Sequence, residues 1–394
     1  MKITKQSENI FKKSNFRVPF FIPNINTNEK KSVSQALNSS LLTNGPNLFK
    51  FENDFSKYTK SKYSVGVSSA TSALHLSLKA LGIGKNDQVI VPDLTFVATA
   101  NAVLMTGATP VIADVNIDDF NIDIESIEKN ITKKTRAIIP VHFAGNPCNM
   151  DKIMKIAKNN NLYVIEDCAH AIGSYYKNKH LGTFGDLGCF SFYPTKNITT
   201  LEGGMVITKS KTLSNYVKTS RNHGITKTLQ DRYTKGFPWE YDIPEAGYNY
   251  RMDEIRALLG IQQLKRIEKI NSQRRNAVKY YNKKLSEIEG ITPQSIQDIE
   301  KNSCHLYIIR LNKEKFGLKR DVVFKKLLKR RIQTSVHYKP LHKFSIFKTA
   351  KNFTNLQNSN KLYEEILSLP LYTGISKKEQ DIVINELKSI KNEK

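Results

Sequence analysis

Short apolar runs rich in β-branched residues alternate with helical patterns from about residue 60 of the chain. The apolar runs show little every-second-residue alternation, which is typical of strands covered on both faces. We predict strands at "YSVGVSS", "QVIVPD", "TPVIADV", "RAIIPVHF" and "LYVIEDC", separated by helices at "TSALHLSLKAL", "ATANAVLMTG" and "MDKIMKIAKNN". Two further strand-like runs, "CFSFY" and "GGMVIT", flank a polar loop. This alternation predicts an α/β domain with a mainly parallel central sheet.

The pattern changes character after "GYNYRMDEI". One long helical stretch follows and runs to a break at "GITP". After it we predict a strand at 304–311, a helix at 320–331 and a strand at 332–338. We therefore predict an N-terminal arm and large domain over residues 1–265, with the arm packed on the rest, and a smaller α+β domain over residues 266–394.

The composition argues against several classes of protein. A chain of 394 residues with 39% hydrophobic and 25% charged residues suits a globular protein better than a disordered one. The chain has no run of 18 apolar residues, and its basic start lacks the apolar stretch and cleavage site of a secretory signal. Its four cysteines are far apart and form no CxxC pair, so we expect no disulfide framework and predict a cytoplasmic location.

The net charge of +25 could attract nucleic acid, an anionic lipid surface or a phosphorylated small molecule. Lysine and arginine are spread along the whole chain, without a zinc finger or a single-strand-binding aromatic signature. An anionic small substrate is therefore the expected partner, rather than nucleic acid or a membrane. The sequence also lacks GxGxxG, GxxxxGK[ST] and GxSxG motifs and any histidine spacing typical of a metal site.

Polar and aromatic side chains follow several predicted strands, at the edge where open α/β sheets bind ligands. Asp167 ends the "LYVIED" run and could hold a cationic ring nitrogen or cap the next turn. The helix start at Ala70 and Thr71 could bind a phosphate or carry an ordinary N-cap. Phe96 could stack on a flat ligand ring or fill the core.

Lys196 lies in the polar loop after "SFYP". Pro194 ends the strand there, because proline cannot donate to the ladder of a central strand. A lysine held in such a loop can be desolvated, which lowers its pKa and makes the amine a nucleophile toward carbonyls. A solvated surface charge is the alternative. A phosphate-binding helix start, a stacking ring, a carboxylate and a lysine are together the parts that pyridoxal phosphate requires.

The chain resembles the sugar aminotransferases of the DegT/DnrJ/EryC1/StrS family, over about residues 20–390. The resemblance rests on the order and spacing of "SSATSALHLSLKALGI", "VIVPDLTFVATANAV", "TRAIIPVHFAG", "VIEDCAHAIGS", "CFSFYPTKNITTLEGGMVIT" and "GYNYRMDEIRALLGIQQL". It implies the fold type I of pyridoxal-phosphate-dependent transferases, seen in aspartate aminotransferase. That fold has a large domain with a mainly parallel central sheet and a smaller α+β C-terminal domain.

The resemblance also implies roles for individual residues. Lys196 would bind the cofactor, pyridoxal 5'-phosphate, covalently as an aldimine, and Asp167 would pair with its pyridinium nitrogen. His170 stands where many members have glutamine, near the cofactor's ring hydroxyl, and Phe96 would stack on the ring. The residues expected to hold the phosphate are Ala70, Thr71 and Ser191.

Two further residues extend the implied site. Asn249 would reach the cofactor phosphate of the neighbouring subunit, which implies a homodimer with shared sites, and His337 would contact a sugar nucleotide. The implied reaction moves an amino group from glutamate to a nucleotide-linked 4-keto sugar in cell-surface glycan or amino-sugar biosynthesis. Loops at 225–245 and around His337 would select the sugar. Two alternatives remain open, a cofactor-dependent sugar dehydratase and a non-catalytic protein of this fold.

Overall fold

The computed structural model describes residues 16–227, 237–348, 350 and 354–393. The strands of the large domain are β1 (Tyr63–Val67), β2 (Gln88–Pro92), β3 (Thr109–Ala113), β4 (Thr135–Ile138), β5 (Tyr163–Asp167), β6 (Tyr175–Tyr176), β7 (Lys179–His180), β8 (Leu187–Ser191) and β9 (Gly204–Thr208). The strands β10 (Ile291–Pro293), β11 (Tyr307–Leu311) and β12 (Ile366–Leu369) follow.

Thirteen α-helices lie within the described residues. They are α1 (Thr27–Ala36), α2 (Pro46–Thr59), α3 (Ala70–Ala80), α4 (Ala98–Met105), α5 (Ile124–Lys129), α6 (Met150–Asn159), α7 (Lys211–Ser220), α8 (Glu254–Leu264), α9 (Ile267–Leu285), α10 (Lys313–Phe316), α11 (Arg320–Lys329), α12 (Gln357–Glu365) and α13 (Lys377–Asn392). None of them combines the length and the apolar character that crossing a membrane requires.

The central sheet has seven strands in the order β1-β9-β8-β5-β4-β2-β3. The neighbours from β8 to β3 pair in parallel, whereas β9 is antiparallel to both β8 and β1. The predicted α/β class with a mainly parallel sheet is therefore confirmed. Since the parallel strands all point the same way, their carboxyl ends line one edge of the sheet, where ligands bind in such folds.

Alternate residues of the strands face two different hydrophobic cores. Val89 and Val91 of β2 pack in the core that also holds Leu76 of α3, while Ile90 packs in the core on the other face with Phe55 of α2. Both faces of the sheet are thus covered, which explains why the strands read as continuous apolar runs rather than as alternating ones.

The C-terminal part of the chain is built on a three-stranded antiparallel sheet in the order β10-β11-β12. A separate core joins this sheet to α9, α11 and α13, and it includes the fully buried Val18. Val18 also forms an isolated bridge with Ile332, so the arm packs here from residue 16 onward, while residues 1–15 lie outside the described part. The division at residues 265 and 266 stays a prediction.

Two elements differ from expectation. The long helical stretch is two helices, because α8 ends at Leu264 and α9 begins at Ile267. Arg266 between them binds the α1 region, through Nη1 to Glu29 at 2.5 Å and through Nη2 to Asn24. The predicted strand at 332–338 is also wrong: in it, Ile332 and Ser335 form only isolated bridges, and β12 takes the place next to β11.

Candidate active site

Asp167 is the last residue of β5, and its carboxylate is buried at the carboxyl edge of the sheet. Its Oδ2 accepts a hydrogen bond from Thr99 Oγ1 at 2.9 Å, and its Oδ1 accepts one from the N–H of Ala169 at 3.1 Å. Burial raises the pKa of the Asp167 carboxyl, and the two hydrogen bonds and the Lys196 ammonium only partly oppose that rise. A cationic partner would strongly stabilise the ionised form of a carboxylate in this environment.

Glu166, the residue before it, has a different part in the structure. Its carboxylate accepts hydrogen bonds from the N–H groups of Gly182, Phe184 and Gly185 at 2.7–2.8 Å and lies 3.0 Å from His142 Nε2. Burial alone would raise the pKa of Glu166, but the His142 and backbone donors bring it below its ordinary value. Each Glu166 oxygen thus has two hydrogen-bond partners, which hold the β7–β8 connection, whereas each Asp167 oxygen accepts one bond and keeps capacity for a ligand.

Lys196 lies in the loop between β8 and β9. Its N–H donates to the carbonyl of Tyr193 at 2.9 Å, and the N–H of Thr200 donates back to Phe192 at 3.0 Å, which closes the loop. Only part of the lysine surface meets solvent. Burial lowers the pKa of Lys196 to about 8, with Asp167 acting in the opposite direction. The solvated-charge alternative therefore fails, because a much larger fraction of this amine is neutral near pH 7 than of an ordinary lysine.

The start of α3 lies beside the same edge. Ser69 is the N-cap, and its Oγ accepts from the N–H of Ser72 at 3.0 Å, while Ala70 and Thr71 form the positive first turn. The register places Ser191 of β8 opposite Gly204 of β9. A Cβ on Gly204 would lie 2.4 Å from the Ser69 carbonyl oxygen, so glycine is what lets the helix start approach Ser191. The N-cap at Ser69 engages the N–H of Ser72, so capping does not exclude a phosphate at this first turn.

Phe96 is not a core residue. Its side chain is 57% exposed, and its ring lies 5.9 Å from that of Tyr338. The Phe96 carbonyl accepts from the N–H of Thr99 at 3.2 Å, and Thr99 donates to Asp167, so this open apolar ring is placed to be covered by a flat ligand. Burial of Phe96 was the alternative favoured by residue type alone, and the structure excludes it.

His170 is held in one tautomer by its two neighbours. The N–H of Ala144 donates to Nδ1 at 3.2 Å, so Nδ1 carries no proton, and Nε2 lies 3.1 Å from Tyr338 Oη. Burial, and then the positive charge of Lys196, hold the pKa of His170 well below its usual value. The imidazole is therefore neutral and donates from Nε2 to the tyrosine oxygen.

The small domain supplies His337. Its Nδ1 lies 2.8 Å from Ser368 Oγ of β12, and its ring stacks on Phe20 at 5.5 Å. Burial and the nearby charge of Lys196 lower the pKa of His337 to about 3. Near neutral pH this histidine is thus a neutral group within the electrostatic reach of Lys196.

Asn249 is exposed and pairs through its backbone with Asn222. Within the described residues, no hydrogen bond, ring contact or ion pair joins it to Lys196. The structure therefore gathers the other candidates within one chain and leaves Asn249 on the surface. Residues 228–236 of the expected sugar-selecting loop lie outside the described part.

Three residues of this region escaped the sequence reasoning. Thr99 orients Asp167 from 68 positions away, Tyr338 bonds His170 from 168 positions away, and the ring of His305 lies 4.4 Å from that of His170. Tyr338 directly follows His337, so the "SVHYKPLH" stretch offered one signal. Nothing in the spacing of the other two pointed to the site.

A sequence model described as the DegT/DnrJ/EryC1/StrS aminotransferase family matches residues 23–388. An uncharacterized protein of Methanocaldococcus jannaschii is 41% identical over 378 residues, which cover 95% of this chain and 98% of that protein. The spore coat polysaccharide biosynthesis protein SpsC of Bacillus subtilis is 36% identical over 381 residues, which cover 96% of this chain and 98% of SpsC.

Solved structures agree with this result. The putative sugar aminotransferase Spr1654 from Streptococcus pneumoniae, in its PMP form, superposes with a TM-score of 0.89 at 32% identity over 95% of this chain and 99% of that one. PseC of Helicobacter pylori, an aminotransferase involved in the biosynthesis of pseudoaminic acid, does so with a TM-score of 0.88 at 31% identity, with the same coverage. Spr1654 is also solved in a PLP form.

Pyridoxal 5'-phosphate is the cofactor of this fold, and the residues of this chain fit it. Four groups lie at one edge of the sheet. They are a lysine with a lowered pKa, a buried carboxylate that a cation would stabilise, an exposed aromatic ring, and a helix start that Gly204 allows to come close to β8. The four groups match the aldehyde, the ring nitrogen, the ring face and the phosphate of the cofactor in turn.

Proposed function

This chain belongs to the DegT/DnrJ/EryC1/StrS aminotransferase family, and on that premise we propose that it transfers an amino group from glutamate to a nucleotide-linked 4-keto sugar. The observation that carries the proposal is the pairing of Lys196, whose pKa burial lowers to about 8, with the buried Asp167. Either residue alone has a structural explanation. Together they supply a nucleophilic amine and an anion that favours a protonated ring.

Each residue has a stated task. When bound, the cofactor supplies an electron-withdrawing ring that acidifies the α-C–H of the amino donor. Asp167 keeps the ring nitrogen protonated, and Thr99 holds the Asp167 carboxylate in place. Lys196 Nζ takes the proton from the α-carbon and returns it to the reacting atom, as a general base and then a general acid. The remaining positions hold and orient the cofactor, namely Ala70, Thr71, Ser191, Phe96 and His170.

The sugar specificity belongs to the open side of the site. His337 is neutral and lies in the segment that brings Tyr338 beside Phe96, so it is placed to contact an uncharged sugar ring. The diphosphate of a nucleotide-linked sugar would also use part of the +25 net charge. SpsC and PseC, by their names, act in polysaccharide and pseudoaminic acid biosynthesis. We extend that setting to this chain and place it in cell-surface glycan or amino-sugar biosynthesis.

The active form would be a homodimer with shared sites, located in the cytoplasm. Asn249 is exposed on the single chain, as expected of a residue that serves a neighbouring subunit. Large apolar side chains are exposed on the α1–α2 region and on the β8–β9 loop, and a second copy would cover them, namely Leu37, Leu41, Leu42, Phe49 and Leu201. All four cysteines are free and buried, which suits a reducing compartment.

The test combines substrate screening with a matched lysine pair. Purified protein loaded with pyridoxal phosphate is mixed with glutamate and UDP-, GDP- or dTDP-linked 4-keto sugars, and the amino sugar and 2-oxoglutarate are quantified. Lys196→Ala should abolish both the visible cofactor absorption and turnover. Lys209→Ala, which removes an exposed lysine after β9, should change neither. Turnover by the Lys196→Ala protein would refute the role of this lysine, and a wild-type protein inactive on every sugar would refute the substrate class.

A further inference from the structure

A chain of hydrogen bonds beside Lys196 determines which nitrogen of His305 carries its proton. Asn271 Nδ2 donates to the carbonyl of Ile172 at 3.0 Å, so Asn271 Oδ1 is an acceptor. Asn197 Nδ2 donates to that oxygen at 2.7 Å and to the carbonyl of Ser303 at 2.7 Å. Both amides are thus oriented by backbone carbonyls, and Asn197 must present its oxygen to its remaining neighbour.

That neighbour is His305, whose Nδ1 lies 3.1 Å from Asn197 Oδ1. Because the oxygen can only accept, Nδ1 must carry the proton. Burial, and the positive charges nearby, hold the pKa of His305 well below its usual value, so the ring is neutral. Nε2 is therefore a bare lone pair that can accept a hydrogen bond and cannot donate one.

No hydrogen bond of a described residue engages this Nε2. The nitrogen is also not sealed in the interior. In the described part of the chain, the buried side-chain atoms that lack both solvent contact and a partner are His75 Nε2, Ser214 Oγ and Thr334 Oγ1. His305 Nε2 is not among them and thus borders a space large enough for a water molecule, and its ring lies 4.4 Å from that of His170, within the electrostatic reach of Lys196.

Two neighbours of His305 are already engaged in hydrogen bonds of their own. Both nitrogens of His170 are engaged, by the N–H of Ala144 and by Tyr338 Oη, and Asn197 Oδ1 faces His305 itself. A buried acceptor such as this one is costly to leave unmatched when a ligand displaces the water beside it. A reactant should therefore bring a donor to His305.

We propose that His305 Nε2 accepts a hydrogen bond from an N–H or O–H group of a reactant and so positions it at Lys196. The group is either the amine of the amino-acid donor or a hydroxyl of the sugar. This inference deepens the proposed function and rests on it.

Two variants distinguish a role of His305 as a hydrogen-bond acceptor from a role in stabilising the fold. In His305→Asn, the amide nitrogen can take the place of Nδ1 and keep the bond to Asn197, but nothing replaces Nε2. In His305→Gln, the longer side chain can bring an oxygen to the Nε2 position. Each holoprotein is compared with wild type in thermal unfolding and in calorimetric binding of α-methyl-L-glutamate, which lacks the α-hydrogen. The glutamate and keto-sugar half-reactions are then measured separately by the cofactor absorption.

His305→Asn should weaken the binding of one of the two reactants by about tenfold, which corresponds to the loss of one hydrogen bond to a buried acceptor. The melting temperature should not change. His305→Gln should recover most of that loss. A defect in the binding of α-methyl-L-glutamate and in the glutamate half-reaction identifies the amine as the donor. A defect confined to the keto-sugar half-reaction identifies a hydroxyl.

Wild-type behaviour of His305→Asn in both half-reactions would overturn the inference alone. Equal losses in both variants, with lowered melting temperatures, would also overturn it and assign His305 a structural role. A wild-type protein that reacts with neither glutamate nor any keto sugar would instead refute the proposed function itself, together with this inference.

Discussion

In the cofactor-free protein, Lys196 should titrate near pH 8. Burial in the β8–β9 loop disfavours the ammonium, and Asp167 is the opposing influence that keeps the pKa from falling further. At pH 7 a group with a pKa of about 8 is about 9% neutral, whereas an ordinary lysine at 10.5 is about 0.03% neutral. Lys196 should therefore present about 300-fold more free amine than a surface lysine at that pH.

The perturbation that tests this reasoning is Asp167→Asn. Removing the carboxylate removes the one influence that raises the pKa of Lys196, so the midpoint must move to lower pH. The sign is opposite to that expected if Asp167 acted only by shaping the loop, since a loosened loop would let water in and move the midpoint up toward 10.5.

The assay follows the rate at which pyridoxal phosphate attaches to cofactor-free protein, from pH 6 to pH 11, by its visible absorption. Borohydride reduction and peptide mapping confirm attachment at Lys196, and propylamine measured in parallel corrects for the titration of the aldehyde reagent itself. Lys209→Ala serves as the matched lysine control. A midpoint near 10.5 in the wild-type protein, or an upward shift in Asp167→Asn, would refute the electrostatic account of this site.

Two further predictions concern the shell around the cofactor. Thr99→Val removes the donor to Asp167 Oδ2 at nearly constant volume, so we expect the dissociation constant of pyridoxal phosphate to rise by about tenfold, the worth of one hydrogen bond to a charged group. Equilibrium dialysis measures it, and an unchanged constant would contradict the positioning role of Thr99. Phe96→Ala should weaken cofactor binding to a similar extent. It should shift the free energy of unfolding of the cofactor-free protein by no more than about 0.5 kcal/mol, because the ring is already exposed. A large loss in urea unfolding would show instead that Phe96 supports the core.

The large domain could be predicted closely because its signals are local. Strands such as β2 and β5 carry uninterrupted apolar runs, at 89–91 and 163–165, and the helices between them carry recognisable ends. The predicted strand at 332–338 failed for the converse reason. Its apolar residues pack, but Ser335 reaches only the outer edge of β12, through a single bridge to Ser368. Whether a segment extends such a bridge into a strand depends on tertiary contacts that no local pattern records.

Lys196, Asp167, Ala70, Thr71 and Phe96 could be named as candidates because each follows a predicted strand, and strand ends meet at one edge of a parallel sheet. Whether each of these side chains is buried or exposed could not be predicted in the same way. From residue type alone, Phe96 favoured the core and Lys196 favoured solvent, and both alternatives are wrong in the structure. Burial is a property of the assembled fold, so an isolated residue type gives only its average behaviour.

The sequence by itself determined the α/β class and the alternation of strands and helices from β1 to β5, and it singled out Lys196 and Asp167 as candidates for the site. Only the tertiary structure decided that Glu166 is structural whereas Asp167 stays available to a ligand, that Thr99 holds Asp167, and that His305 offers a bare nitrogen. The physical reason is that periodicity and turn chemistry act between neighbours in the chain. Desolvation and hydrogen-bond direction depend instead on groups that only folding brings together.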